Sequence, residues 1–178
     1  RRAVLAGGSA REICDVFTGR SRPSAASRRG FALREYIRPE LVKTGLESKT
    51  GEGVITELVE LLDTAGLVRD RDRALAVVLD RERQMSTGME GGIAVPHGRT
   101  NEVRSLVCAI GIKAAGIDFG AIDGEPTRIF ILVLTPPKGA DPYLQFVASI
   151  MGVLHAGGRE RVLDAKSAAE VAAILRED

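Results

Sequence analysis

Tryptophan is absent from this 178-residue sequence, and aromatic residues supply only 4% of it. The core must then be built from Val, Ile, Leu and Ala, as it is in many α/β proteins. Only two cysteines, Cys14 and Cys108, and two histidines, His97 and His155, are present, with no ligand-like spacing between them. That argues against a zinc site. Cys108 sits in the apolar run SLVCAIGI and reads as a small buried hydrophobe. Nothing points to an oxidising compartment, so no disulfide is expected. No apolar run approaches the roughly 18 residues needed to span a bilayer. The Arg-rich start is not followed by a sustained apolar stretch, so no secretory signal, no membrane insertion and a cytoplasmic setting are expected. The chain opens on Arg1 rather than Met, as a trimmed chain or the end of a longer protein would.

What is present is an ordinary globular balance, 44% hydrophobic and 28% charged, with a net charge of +1 that is unevenly spread. Residues 1–38 hold nine Arg against three acids, net +6, and the remainder is net −5. A basic arm of this kind can attract nucleic acid, but no aromatics are interleaved to stack on bases, so no nucleic-acid partner is expected. SRPSAASRRG (21–30) has linker composition, and residues 1–18 have room for a short helix around REICDVF. Residues 1–32 are read as an extension and linker. The compact domain is placed at 33–178.

Within it, helix and strand signals alternate. Thr50 can cap a helix carrying Val54, Ile55, Leu58, Val59 and Leu62, stopped by Gly66. Asp70 can cap a second, with Ala74, Leu75, Val78 and Leu79 on one face, ending near Arg83. The turn STGMEGG (86–92) leads to a short strand IAVP that ends at His97. SLVCAIGIK (105–113) and RIFILVLT (128–135) read as strands covered on both faces, separated by the Asp-Gly turn in AIDGEP. Asp141 and Pro142 fit the cap and first position of a third helix with Leu144, Val147, Ala148, Met151 and Leu154 inward, stopped at Gly157-Gly158. Ser167 and Glu170 form a capping box for a final helix through Leu175. This interleaving favours a sheet packed against helices.

Chemistry gathers at His97, between Pro96 and Gly98. A neutral imidazole nitrogen held at a sheet rim can serve as a covalent nucleophile near pH 7, and Gly98 leaves room beside the ring for a bulky dianion. Arg81 could clamp phosphate oxygens, although an Arg at a helix C-terminus also offsets the dipole. Ser86 and Thr87 bring hydroxyls that suit either phosphate binding or turn chemistry. The helix N-terminus at Asp141 offers a further anion site, unless Asp141 fills it as its own cap.

The run LDRERQMSTGMEGGIAVPHGRT (79–100) resembles the active-site segment of fructose/mannitol-type enzyme IIA domains of the bacterial phosphotransferase system, which the nitrogen-regulatory enzyme IIA proteins share. IDFGAIDGEPTRIFILVLTPPKGADPYLQF (117–146) is similar to the family's second half, and LREYIRPELV (33–42) to its start. The resemblance implies a single α/β domain with a central mixed β-sheet flanked by helices. It implies a phosphohistidine at His97, on the ring nitrogen far from the backbone, with Arg81 as the active-site arginine and Thr87 beside the phosphate. The implied donor is a histidine-phosphorylated carrier protein. The implied acceptor is an enzyme IIB or a regulatory target, with no metal or nucleotide cofactor.

Two departures from the family pattern stand out. Tyr143 occupies a position where the family usually has a second histidine, and it cannot become a cation near pH 7. Glu90 stands where the family usually has Gly or Ala, and a carboxylate near a phosphate repels it. His155, about three turns further along the same helix, is too far away to replace the missing histidine. The alternative reading is a non-enzymatic regulatory module attached to a larger transporter or regulatory protein.

Overall fold

A computed structural model describes residues 32–138 and 142–177. The expected helix around 11–17, the 21–30 linker and Asp141 lie outside them. Two short 3₁₀ turns, Leu33–Glu35 and Pro39–Leu41, lead into β1 (Val42–Thr44). Helices α1 (Gly51–Thr64) and α2 (Arg71–Gln84) follow. Then come β2 (Gly88–Met89), β3 (Ile93–Ala94), β4 (His97–Arg99), β5 (Val107–Ile117) and β6 (Thr127–Thr135). The chain closes with α3 (Tyr143–Val153), α4 (Arg159–Asp164) and α5 (Ala168–Leu175).

The six strands form one mixed sheet in the order β1-β5-β6-β3-β2, with β4 also paired to β6. β5 and β6 run antiparallel at its centre, and β1 is parallel to β5. β3 and β4 are both parallel to β6. Nearly every residue of β6 is buried, as the continuous apolar run required. Phe130, Leu132 and Leu134 join the cluster made by α1 and α2. Their alternates Ile129, Ile131 and Val133 are buried on the opposite face of the pleat. Phe146, Val147, Ile150 and Met151 of α3 and Val171, Ile174 and Leu175 of α5 are buried as well.

Local signals set most boundaries. The Thr50 hydroxyl accepts from Gly53 N–H, the Asp70 carboxylate from Arg73 N–H, and the Ser167 hydroxyl from Glu170 N–H. The chain leaves α1 through Gly66 at φ 70°. Three expectations are corrected. The third helix starts at Tyr143, capped by Pro142, and its buried stripe includes Phe146 and Ile150 while Leu144 is exposed. After it the chain kinks at Gly157 (φ 96°) and adds the unexpected α4. The strand expected to end at His97 instead breaks at Val95-Pro96 and resumes there.

That break keeps register. Ile93 faces Ile129 and His97 faces Val133, four residues further along both strands. Pro96 has no N–H to offer, but its carbonyl accepts from Val133 N–H at 2.9 Å. Val95 turns its N–H the other way, to the Thr87 carbonyl at 3.2 Å. β2 covers β3 and stops short of β4, so among the described residues the flank of β4 beyond β6 carries no strand.

A carboxylate away from this edge anchors the start of α1. Glu57 accepts from the N–H groups of Glu47 and Ser48 and pairs with Lys43 at 2.7 Å. Burial alone would raise its pKa, but the hydrogen bonds from Lys43, Ser48 and Glu47 prevail and hold it at about 2, against an ordinary 4.5. Because the folded value is depressed, the stabilisation is complete above pH 4.5 and fades as pH falls toward 2. Urea melts should find Glu57→Gln less stable than the parent at pH 6 and nearly equal to it near pH 2. A gap that does not change with pH would contradict this.

Candidate active site

His97 opens β4, and the half-buried imidazole leans on Tyr143 at the start of α3, ring centroids 5.0 Å apart at 36°. Its Nδ1 lies 2.9 Å from the Val95 carbonyl oxygen. A carbonyl can only accept, so Nδ1 carries the proton and Nε2 keeps its lone pair. The break at Val95-Pro96 is what aims that carbonyl back at the ring. Burial lowers the His97 pKa below 6.5, and the charges of Arg81 and Arg99 push the same way. The Val95 bond and Glu82 act oppositely, and the net shift keeps the ring neutral at pH 7.

His97 also lines an open pocket of about 440 Å³, together with Val77, Asp80, Arg81, Gln84, Gly98 and Arg99. Arg81, in the last turn of α2, spends one donor on the Met85 carbonyl (3.0 Å), its sole hydrogen bond among the described residues. Four of its five N–H groups therefore stay available to an anion. Arg99 follows His97 by two residues, on the same face of its strand. At the start of α3, whose Tyr143 touches the His97 ring, the N–H groups of Leu144 and Gln145 precede the first helical bond, Phe146 N–H to Pro142 C=O. They have no partner within the helix, and the positive end of its dipole lies there.

The structure thus brings His97, Arg81, Tyr143 and Gly98 together. Gly98 serves by its missing side chain: a Cβ there would meet Val77 Cγ1 at 2.8 Å and wedge α2 away. Its backbone is in phase with β6, because the flanking Pro96 C=O and Thr100 N–H both bond that strand. Its N–H therefore points into the sheet. Ser86 is not brought to the pocket. Its hydroxyl donates to the Phe119 carbonyl and accepts from Gly88 N–H, in a separate cavity with Thr50, Leu79 and Asp118. Thr87 gives both its N–H (2.7 Å) and its O–H (2.6 Å) to Glu82. Glu90 is exposed at the β2–β3 hairpin tip, away from the pocket lining.

Sequence reasoning missed Arg99, Glu82 and the Val95 carbonyl. The two-residue spacing to His97 could have flagged Arg99. Nothing in the letters reveals a backbone carbonyl's direction.

A model of the family described as Phosphoenolpyruvate-dependent sugar phosphotransferase system, EIIA 2 matches residues 35–178. The chain belongs to that family. This EIIA domain is 36% identical over 139 residues to a PTS system fructose-specific EIIA component of Haloferax volcanii, covering 78% of this chain and 90% of that one. Nitrogen regulatory protein IIA-Ntr from Neisseria meningitidis superposes with a TM-score of 0.71 at 26% identity, covering 79% and 97% of the two chains. The enzyme IIA mannitol component in a complex with phosphorylated enzyme IIB mannitol, from Escherichia coli, superposes at 0.67 with 24% identity, covering 76% and 94%. That last likeness is one of fold. The EIIA domain is accordingly a phosphoryl-transfer module of the phosphotransferase system, with relatives in both sugar uptake and nitrogen regulation. Among the described residues, no helix is long and apolar enough to cross a membrane.

Proposed function

We propose that Nε2 of His97 accepts the phosphoryl group from a histidine-phosphorylated carrier protein and yields it to an enzyme IIB-type acceptor or a regulatory target. The observation that carries this reading is the Nδ1–Val95 hydrogen bond, which leaves the outward nitrogen as the nucleophile. In the forward step the donor's N–P bond breaks and its electron pair returns to the donor ring, while the Nε2 lone pair forms the new N–P bond. No proton has to leave His97. The ring gains positive character, which the Val95 carbonyl stabilises. Arg81 and Arg99 line the pocket that would take the three phosphoryl oxygens, where positioning and charge neutralisation lower the barrier. Transfer onward reverses these bond changes toward a thiolate or imidazole of the acceptor. A protein acceptor is supported by the solved complex of a like-folded IIA with its IIB.

Incubation with phosphoenolpyruvate, enzyme I and the carrier protein should label one phosphoryl group per chain. A chain that stays unlabelled under conditions that charge the carrier would refute the proposal. Tyr143 bears on the rate. A cation in its place, 5.0 Å from the His97 ring, would attract the dianion by about 1 kcal/mol at a partly exposed site. Tyr143→His should therefore speed transfer about fivefold at pH 6.5. A slower rate in single-turnover measurements would instead mark Tyr143 as adapted to its present role.

A further inference from the structure

Glu82 neighbours Arg81 in the last turn of α2, and its carboxylate is held by backbone and hydroxyl donors. Both oxygens are occupied by one residue: Oε1 accepts from Thr87 N–H and Oε2 from Thr87 Oγ1–H. The Thr87 carbonyl accepts from Val95 N–H at 3.2 Å. The Val95 carbonyl then holds His97 Nδ1 at 2.9 Å. A chain of hydrogen bonds, linked through Thr87 and Val95, thus runs from a carboxylate on α2 to the inner nitrogen of the imidazole.

We infer that Glu82 is the positioning residue of this site, fixing the tautomer and direction of the His97 ring through Thr87 and Val95. The inference rests on the reading of His97 as the phosphoryl acceptor. Each link passes through the Cα of an intervening residue, so the chain transmits position rather than polarisation. Charge acts separately, through space, where Glu82 raises the basicity of His97 against the lowering by Arg81 and Arg99. Two consecutive residues at one helix end therefore do opposite work: Arg81 faces the pocket, and Glu82 secures the backbone that aims the nucleophile. The pattern parallels histidine ligands of metals, where an outer partner sets ring orientation and its loss typically costs 10- to 100-fold. Glu82 has no opposite-charge partner within salt-bridge distance among the described residues. Ion pairing therefore does not account for its placement, and the double bond to Thr87 does.

Glu82→Gln isolates the effect, because an amide keeps the shape, loses the charge and can accept with only one of its two ends. Transfer from the phosphorylated carrier should slow about 10-fold or more. The acid limb of its pH–rate profile should move to lower pH, since a group that raises the His97 pKa has gone. Nitrogen-15 NMR of the unphosphorylated protein should show one Nδ1–H tautomer in the parent and a mixture of tautomers in Glu82→Gln. That measurement needs no transfer, so it tests the inference even if His97 proved not to be the acceptor. Glu82→Asp, which keeps the charge, should retain the parent's acid limb. Thr87→Val, which removes only the O–H link, should show a smaller loss and part of the tautomer mixing. A Glu82→Gln protein with the parent's tautomer and pH profile would overturn the inference, and so would a loss explained wholly by lower thermal stability.

Discussion

His97→Ala should reduce phosphoryl acceptance to background, a loss of at least about a thousandfold, as expected when a covalent nucleophile is removed. No other side chain among the described residues can take its place. His155 is exposed at the kink after α3, about 18 Å along the helix from Tyr143 at 1.5 Å per residue. The Cys108 thiol is buried, donates to the Tyr36 carbonyl, and is pushed up to about 12 by burial. It therefore supplies no thiolate at neutral pH. The substitution should leave stability nearly unchanged, because the imidazole is only partly buried and its hydrogen bond goes to the backbone carbonyl of Val95. Mass spectrometry of the charged mixture and a thermal melt check both halves. Residual labelling at a tenth of the parent level would place the acceptor elsewhere.

Arg81→Ala should lower the transfer rate by about 100- to 1000-fold, the usual cost of removing a donor aimed at developing oxyanion charge. Its guanidinium presents several N–H groups to one pocket while a single donor anchors to Met85. Arg81→Lys should recover only part of that loss, since an ammonium lacks the planar fork that grips two oxygens. A second readout separates this role from helix capping. Arg81 helps lower the His97 pKa, so its removal should shift the acid limb of the rate profile toward higher pH. A merely structural arginine would change the melting temperature and leave that limb in place. Rapid-quench measurements from pH 5 to 8 discriminate the two.

Much of this was legible in the letters because the signals are local. Thr50, Asp70 and Ser167 cap helices whose apolar spacing matches the buried stripes observed, and near-continuous apolar runs became the two central strands. The candidate residues His97, Arg81 and Tyr143 were found through motif resemblance, although 46 residues separate His97 from Tyr143 and only the fold brings them to within one ring contact. What stayed hidden depends on tertiary direction. The short strand β1 is too brief to show a period and exists because β5 offers a parallel edge. Leu144 satisfied a helical spacing, yet the rotation of α3 buried Phe146 and Ile150 and left it exposed. Ser86 and Thr87 looked like phosphate donors, and burial of their hydroxyls against Phe119 and Glu82 gave them other partners.

The most direct test asks which nitrogen carries the phosphoryl group. Long-range proton–nitrogen NMR of the phosphorylated protein, with His97 the assigned ring, should place phosphorus on Nε2 and leave a proton on Nδ1. Phosphorus on Nδ1, or on any other residue, would contradict the geometry from which the whole account is built.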